Sequence, residues 1–480
     1  MHGAGGHRAR RRLVRSRRVS ALLVLVVALV GTSLGAPVVP AGASGSVRGV
    51  TDDEIEIVAL VADLTSLRQK GFNLAPSLTT EHLLSQWQDL ADQAGKINGR
   101  RIKVTGVAWD PLDATDFDRA CTRATQDLQP FLVVTASGYR QDSIPCLTVD
   151  NNTPFFTGDP SYEALQKASG KNLLTLAPPA EVLAASTARL AAKQKLVPKS
   201  AKVGILSGNS PALAAAGQTL ERELKRQGYD VVQTVELNTA QTDATAINRE
   251  SAAAATTLEG AGADVVFVIP GPVNTVGFYQ EAARANAGFQ VYLVDTAAAT
   301  CTQFGASRLP AEIAGAPCVT TWDTRAVPTA DGVEQDNAFE AKCRSMWEAD
   351  NGVKANPGVP GGGLVVDGVT LEEDMTPNQC TMMNLLVPAI KKAGRNLTWD
   401  KVYANLMKEG PQPAAYMSGG EGELTKGKPY FATKVHLQKL VLADTKTPRS
   451  PNGTYNGCPQ PTNCFVPQLV DGTEWFPAVG

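Results

Sequence analysis

Between Glu54 and Asp110 the chain runs strand, long helix, tight turn, strand, and that order constrains the fold more than any single residue. Glu54 to Leu64 (EIEIVALVADL) is β-branched and apolar enough for a strand buried on both faces of a parallel sheet. The spacing of Leu83, Leu84, Trp87, Leu90, Ala91 and Ala94 then predicts a helix with one apolar stripe, ended by Gly95 as a left-handed cap. Asn98-Gly99, a strong turn dipeptide, leads into a second strand, Arg101 to Ala108, which finishes at Trp109-Asp110.

Residues 1–43 read as an export signal rather than as part of that layer. Seven arginines between Arg8 and Arg18 precede the apolar run Ala21 to Val30, and Ala41-Gly42-Ala43 offers a small-residue cleavage site. The apolar run is short for a membrane span of about 30 Å. No cysteine adjoins the cleavage site, so the mature protein is expected to be exported, periplasmic or extracellular, and not lipid-anchored. Ser16-Arg17-Arg18 leaves both the general and the twin-arginine export routes open.

Of the 45 Lys and Arg, seven lie in that segment, so the mature chain sets 38 cations against 47 acids. A net negative charge argues against a nucleic-acid partner. No later window approaches the ~18 apolar residues of a membrane span. All eight cysteines are in the mature part, where an oxidising compartment favours disulfides over zinc or thiol chemistry. Proximity suggests Cys121 with Cys146, Cys301 with Cys318, Cys343 with Cys380, and Cys458 with Cys464. Other pairings remain open, and no C-x-x-C redox pair exists.

The alternation continues after Asp110. A helix carries Phe117, Ala120, Cys121, Ala124 and Leu128 inward, and strands follow at Phe131 to Thr135 and near Pro154 to Thr157. Pro178-Pro179 then opens a second series, with strands at Lys202 to Ser207, Tyr229 to Val235, Asp264 to Ile269 and Phe289 to Val294 between helices. The fold class is therefore α/β, with two doubly wound Rossmann-like lobes. From about Thr300 the pattern is less regular, and residues 444–480 read as a Pro- and Cys-rich tail packed on the lobes.

Two such lobes in an exported, disulfide-bearing chain resemble the type I periplasmic binding proteins, in particular the leucine/isoleucine/valine-binding branch that serves ABC importers. The resemblance rests on Val50-Thr51-Asp52-Asp53-Glu54-Ile55, Lys96-Ile97-Asn98-Gly99-Arg100-Arg101-Ile102, Asp110-Pro111, Val133 to Ser137, Thr153-Pro154 and the helix Leu385 to Gly394. It implies a three-crossover hinge, with lobe 1 at residues 50–176 and 299–405 and lobe 2 at 177–298 and 406–443. It also implies a monomer without cofactor or metal that takes a small-molecule ligand and presents it to an ABC permease. The ligand expected is an amino acid, amide or related carboxylate.

Open α/β sheets bind ligands outside the carboxyl ends of their strands, where helix N-termini offer unpaired N–H groups. The resemblance implies that Ser137 grips a ligand carboxylate with its hydroxyl and neighbouring amides, that Thr157 adds a second hydroxyl, and that Asp295 pairs with a ligand ammonium. Tyr139, Asp63, Trp109 and Asn209 complete the candidate ligand-binding set at strand ends. Each has a plainer alternative: a helix cap for Ser137, packing for Tyr139, a turn cap for Asp295. Lys70 reads as a solvated lysine or, if it faces the cleft, as a cation that favours an anionic ligand. The segment Phe155-Phe156-Thr157-Gly158-Asp159-Pro160 and the loop Ser207-Gly208-Asn209-Ser210-Pro211 depart from the family's pattern, which points to a different ligand or to a sensing or envelope-interaction role without transport.

No enzyme is expected. Gly208-Asn209-Ser210-Pro211-Ala212 is a degenerate nucleophile elbow, and a hydrolase built on Ser210 needs a later acid and histidine. Only His436 follows it, the mature chain's other histidine being His82. Phosphate-loop motifs and metal-ligand spacings are absent from the sequence.

Overall fold

The structure, a computed structural model, describes residues 47–69, 79–111, 113–136, 138–239, 244–270, 272–295, 314–322, 337–351, 364–366, 369–371, 376–442, 465–469 and 475–479. The export segment, Lys70, Ser137, Cys301, Cys458 and Cys464 lie outside them.

Five parallel strands form the first sheet: β1 (Glu54–Ala62), β2 (Arg101–Trp109), β3 (Leu132–Thr135), β4 (Phe155–Thr157) and β5 (Leu173–Thr175), in the order β2-β1-β3-β4-β5. Strand β1 is buried on both faces, and its alternation sorts the core. Ile55, Ile57, Ala59 and Val61 point into one cluster, Val58 and Leu60 into another with Val107, Trp109 and Phe117. Between β1 and β2 run α1 (Leu64–Gln69) and α2 (Thr80–Gln93), with Leu83, Trp87, Leu90 and Ala91 buried. Gly95, at φ 62, ends α2, and Asn98 and Gly99 at φ 52 and 88 make the turn into β2. Helices α3 (Ala114–Thr122) and α4 (Glu163–Ser169) continue the layer.

The second sheet repeats the order. After α5 (Ala180–Lys193), strands β6 (Lys202–Gly208), β7 (Asp230–Leu237), β8 (Val265–Val268) and β9 (Gln290–Val294) alternate with α6 (Pro211–Arg226), α7 (Ala244–Gly260) and α8 (Pro272–Arg284). With β10 (Pro317–Thr320) they run β7-β6-β8-β9-β10, all parallel. Each sheet thus reverses strand order once, between β1 and β3 and between β6 and β8, where a crevice opens outside the strand ends. Among the described residues the two sheets and their helices form the two doubly wound α/β layers read from the sequence.

The chain's later part differs from the expected partition. Because β10 pairs with β9, the described chain turns to the first sheet only after Thr320, later than residue 299. From there α9 (Ala338–Asn351), a small hairpin of β11 (Leu364–Val366) and β12 (Val369–Leu371), α10 (Thr376–Ala393) and α11 (Trp399–Leu406) follow. Cys343, Met382, Leu386, Ile390, Val402 and residues as late as Ala432 share the first sheet's core, past the expected boundary at 405. The short pair β13 (Gln412–Pro413) and β14 (Glu421–Gly422) precedes β15 (Lys434–Leu442), which returns antiparallel to β10. Finally β16 (Phe465–Leu469) and β17 (Phe476–Pro477) pair with β15, so these tail segments extend the second sheet.

Among the described residues three crossings therefore link the sheets, and they bond to one another. Phe431 and Ala432 donate N–H to the carbonyls of Thr175 and Leu176, and Ser418 N–H donates to Thr321. The Ser418 hydroxyl accepts from Thr433 and Lys434 N–H, both at 3.1 Å. Disulfides join Cys121 to Cys146 and Cys343 to Cys380; Cys318 is also oxidised.

Candidate functional site

The candidate site is the set of strand tips at the two reversals. At the end of β1, Asp63 Oδ1 accepts from Thr65 and Ser66 N–H at 3.1 Å and so caps α1, while its own N–H donates to the Trp109 carbonyl at 2.7 Å. Ser66 then donates its hydroxyl to Asp110 at 2.8 Å, which ties the tips of β1 and β2 together.

Trp109 and Tyr139 pack within the core beside the first sheet. Both are buried, with ring centroids 5.8 Å apart in an edge-on pair that also meets Phe117. The alternation that buries Val107 buries Trp109 two residues on. Tyr139 donates its hydroxyl to the Phe117 carbonyl at 3.2 Å. Burial, with the nearby Asp118 carboxylate adding to it, pushes its phenol well above the usual range, so it stays a neutral packing group.

Thr157 and Asp159 meet the loop after β3. Asp159 accepts from Gly138 N–H at 2.6 Å and from the Thr157 hydroxyl at 3.4 Å, and returns its own N–H to Thr157 Oγ1 at 3.1 Å. Gly138 takes φ 86, which costs glycine little and aims its amide. Gly158 donates N–H to the Thr135 carbonyl. One residue that the sequence reading missed belongs here. Asn378, near the start of α10, donates Nδ2 to the Ala136 carbonyl at 2.9 Å, and its buried Oδ1 has no hydrogen-bond partner among the described residues. Its sequence setting, Thr-Pro-Asn-Gln at a helix start, looks like ordinary capping.

On the second sheet Asp295 ends β9 in a buried position and accepts the Thr320 hydroxyl at 2.6 Å, while Thr320 Oγ1 takes Trp322 N–H at 3.0 Å. The acid thereby touches the second crossing. Asn209 is exposed and staples the tips of β6 and β7, its Oδ1 accepting from Thr239 N–H at 3.1 Å. Ser210 stands just before Pro211 at the start of α6. His436 is engaged elsewhere: its Nε2 lies 2.6 Å from the Trp322 carbonyl and its ring stacks 4.1 Å from Trp475. Among the described residues no cluster of His, Cys, Asp and Glu could hold a metal ion, and no helix is long and apolar enough to cross a membrane. The groove lined by Gln218, Glu221, Arg222, Lys225 and Arg226 belongs to the solvated flank of α6, not to the tips.

The sequence profile of the periplasmic binding proteins matches residues 84–353. No curated protein sequence matches. Solved structures do. A solute binding protein of an ABC transporter from Rhodopseudomonas palustris, in complex with 3,4-dihydroxybenzoic acid, has a TM-score of 0.60 at 11% identity, over 89% of this chain and 98% of that one. A periplasmic binding protein from Burkholderia mallei has a TM-score of 0.61 at 13% identity, over 89% and 95%. A leucine binding protein from Thermotoga maritima has a TM-score of 0.58 at 12% identity, over 81% and 95%.

Proposed function

Since this chain belongs to the periplasmic binding protein family, we propose that it is an extracytoplasmic solute-binding protein that captures a small polar ligand between its two sheets and delivers it to an ABC importer. The observation that carries this reading is the repeated strand order, which sets two reversal crevices in one chain joined by three bonded crossings. Ligand held by both sets of tips favours a closed arrangement only by as much as it binds that arrangement better. Asp63, Asp295 and Thr157 at the tips supply polar groups to such a ligand. Export through the segment 1–43, a monomeric state without lipid anchor, and an ABC permease as partner complete the reading. Lobe 1 is residues 50–176 with the chain from Trp322 to Ala432, and lobe 2 the rest to Leu442 with the tail.

One similar protein holds 3,4-dihydroxybenzoic acid and another is a leucine binding protein, so aromatic acids and amino acids belong in a screen beside amides, amines and sugars. A ligand at about 100 times its Kd should stabilise the mature protein by about 2.7 kcal/mol, a rise of several degrees in Tm. The same ligand should shrink the radius of gyration in X-ray scattering. A ligand that raises Tm without contraction argues against closure, and a panel without any responder argues against the function.

A further inference from the structure

The first sheet's tips already hold an anion of the protein's own. A loop amide and a strand-tip hydroxyl, Gly138 N–H and Thr157 Oγ1, converge on one point, as two donors must to receive a carboxylate. That point is filled by Asp159 Oδ2, 2.6 Å from the Gly138 nitrogen. The carboxylate is tethered two residues beyond Thr157, and its N–H closes the turn back onto Thr157 Oγ1, so a free solute competes against an intramolecular partner. An incoming carboxylate must displace Asp159 and then lie beside it, and like charges repel strongly where closure removes water.

A second, independent observation gives the sign of what is wanted instead. Asn378 is 3% exposed, and its amide abuts the same turn: a Cβ on Gly158 would stand 2.7 Å from Nδ2. The Ala136 carbonyl needs a donor, which fixes Nδ2 toward it and leaves Oδ1 as an acceptor without a partner among the described residues. A buried acceptor in that state costs free energy until a donor meets it. At the neighbouring tips Asp63 accepts from backbone donors and Asp110 from the Ser66 hydroxyl, so both add acceptors.

The geometry points to a ligand whose recognised end at this sheet is a protonated nitrogen group, an ammonium, amidinium or guanidinium compound without a free carboxylate. Asp159 supplies the compensating charge, and Asn378 Oδ1 the directed acceptor. This rests on the binding function above and names the ligand class of that same site.

Isothermal titration calorimetry of the full mature chain, with benzylamine and agmatine set against benzoate and leucine, tests it. The wild type should bind an amine probe and neither acid. Asp159→Asn, which keeps an acceptor for Gly138 N–H but removes the charge, should weaken amine binding at least tenfold. Asp159→Ala, which releases both donors, should gain at least tenfold in benzoate affinity. Circular dichroism checks that each variant folds, and if Asp159→Ala does not, Asp159→Asn decides alone. Wild-type binding of benzoate or leucine that Asp159→Asn leaves unchanged overturns the inference, as does silence of wild type and variants toward every probe. If leucine binds and contracts the protein in scattering, the inference fails while the binding function stands. If no solute of the wider screen contracts it, that function fails as well.

Discussion

Gly158 has no room for a side chain: a Cβ there would lie 1.9 Å from the Ala136 carbonyl oxygen. The obstacle is backbone, so Gly158→Ala must push the tips of β3 and β4 apart, at about 1 to 3 kcal/mol. Urea denaturation should register that loss, and the variant should also lose ligand response because Gly138 and Asp159 part company. Glu181 gives a prediction in pH. It is buried and accepts Glu163 N–H at 3.1 and 3.2 Å; burial is the largest cause that lifts its carboxyl above the usual 4.5, with repulsion from Glu163 adding and the backbone N–H bonds opposing. A carboxyl raised in the folded state stabilises the fold while protonated, and that contribution is lost as pH rises through the folded value. Glu181→Gln retains an acceptor for Glu163 N–H without a charge to bury. Its stability relative to wild type should therefore rise as the pH climbs above the usual carboxylate range, read from urea midpoints. At this scale the sequence was partly legible. Trp109 was read as a strand-end ligand contact although the period-two pattern running through Val107 points it into the core, and nothing local announced that Asp159 would turn back onto Gly138 or that Asn378 would meet Ala136 from 242 residues away.

Elements of strong periodicity were the legible ones. The strands predicted at Lys202 to Ser207 and Phe289 to Val294 form as Lys202–Gly208 and Gln290–Val294, and the Ala-rich helix after Pro179 forms as Ala180–Lys193. Strand β10 escaped because four residues opened by a proline carry too little alternation, and its membership of the second sheet is fixed by pairing with β9 and β15. Helix α10 begins at Thr376, more than two turns before the Leu385 at which the sequence places that helix, and continues through Pro388. Its place depends on a covalent tie. The Cys343–Cys380 disulfide, 37 residues apart in sequence, fastens α9 to the first turns of α10, the same turns that carry Asn378. Replacing both cysteines by serine should cost about 2 to 4 kcal/mol in the chain-entropy picture. Because the unlinked α10 start also positions Asn378, ligand affinity should fall alongside the urea midpoint. An affinity unchanged in a destabilised variant would show that packing of Met382, Leu386 and Ile390 suffices to seat the helix.

Over the whole molecule the second and third crossings meet at a left-handed serine. Ser418, buried at φ 53, donates N–H to the Thr321 carbonyl of the second crossing and accepts from Thr433 and Lys434 N–H of the third. Gly419, at φ 70, then lies under the Trp475 indole, which stacks on His436, while His436 Nε2 meets the Trp322 carbonyl. The C-terminal segment closes this junction from outside: Ala478 N–H donates to Thr433, Val479 N–H to the Ser186 hydroxyl, and Phe476 packs with Leu183, Leu190 and Val435. Ser418→Ala keeps the backbone conformation but leaves two N–H groups beside the third crossing without their acceptor, at about 1 to 3 kcal/mol each if they stay dry. The urea midpoint should fall accordingly. If the loss is confined to the junction, amide hydrogen exchange should quicken at Thr433 and Lys434 first, well before the strands of either sheet. Exchange that speeds uniformly instead would mean that the hydroxyl stabilises the fold as a whole and does not hold the crossings in particular.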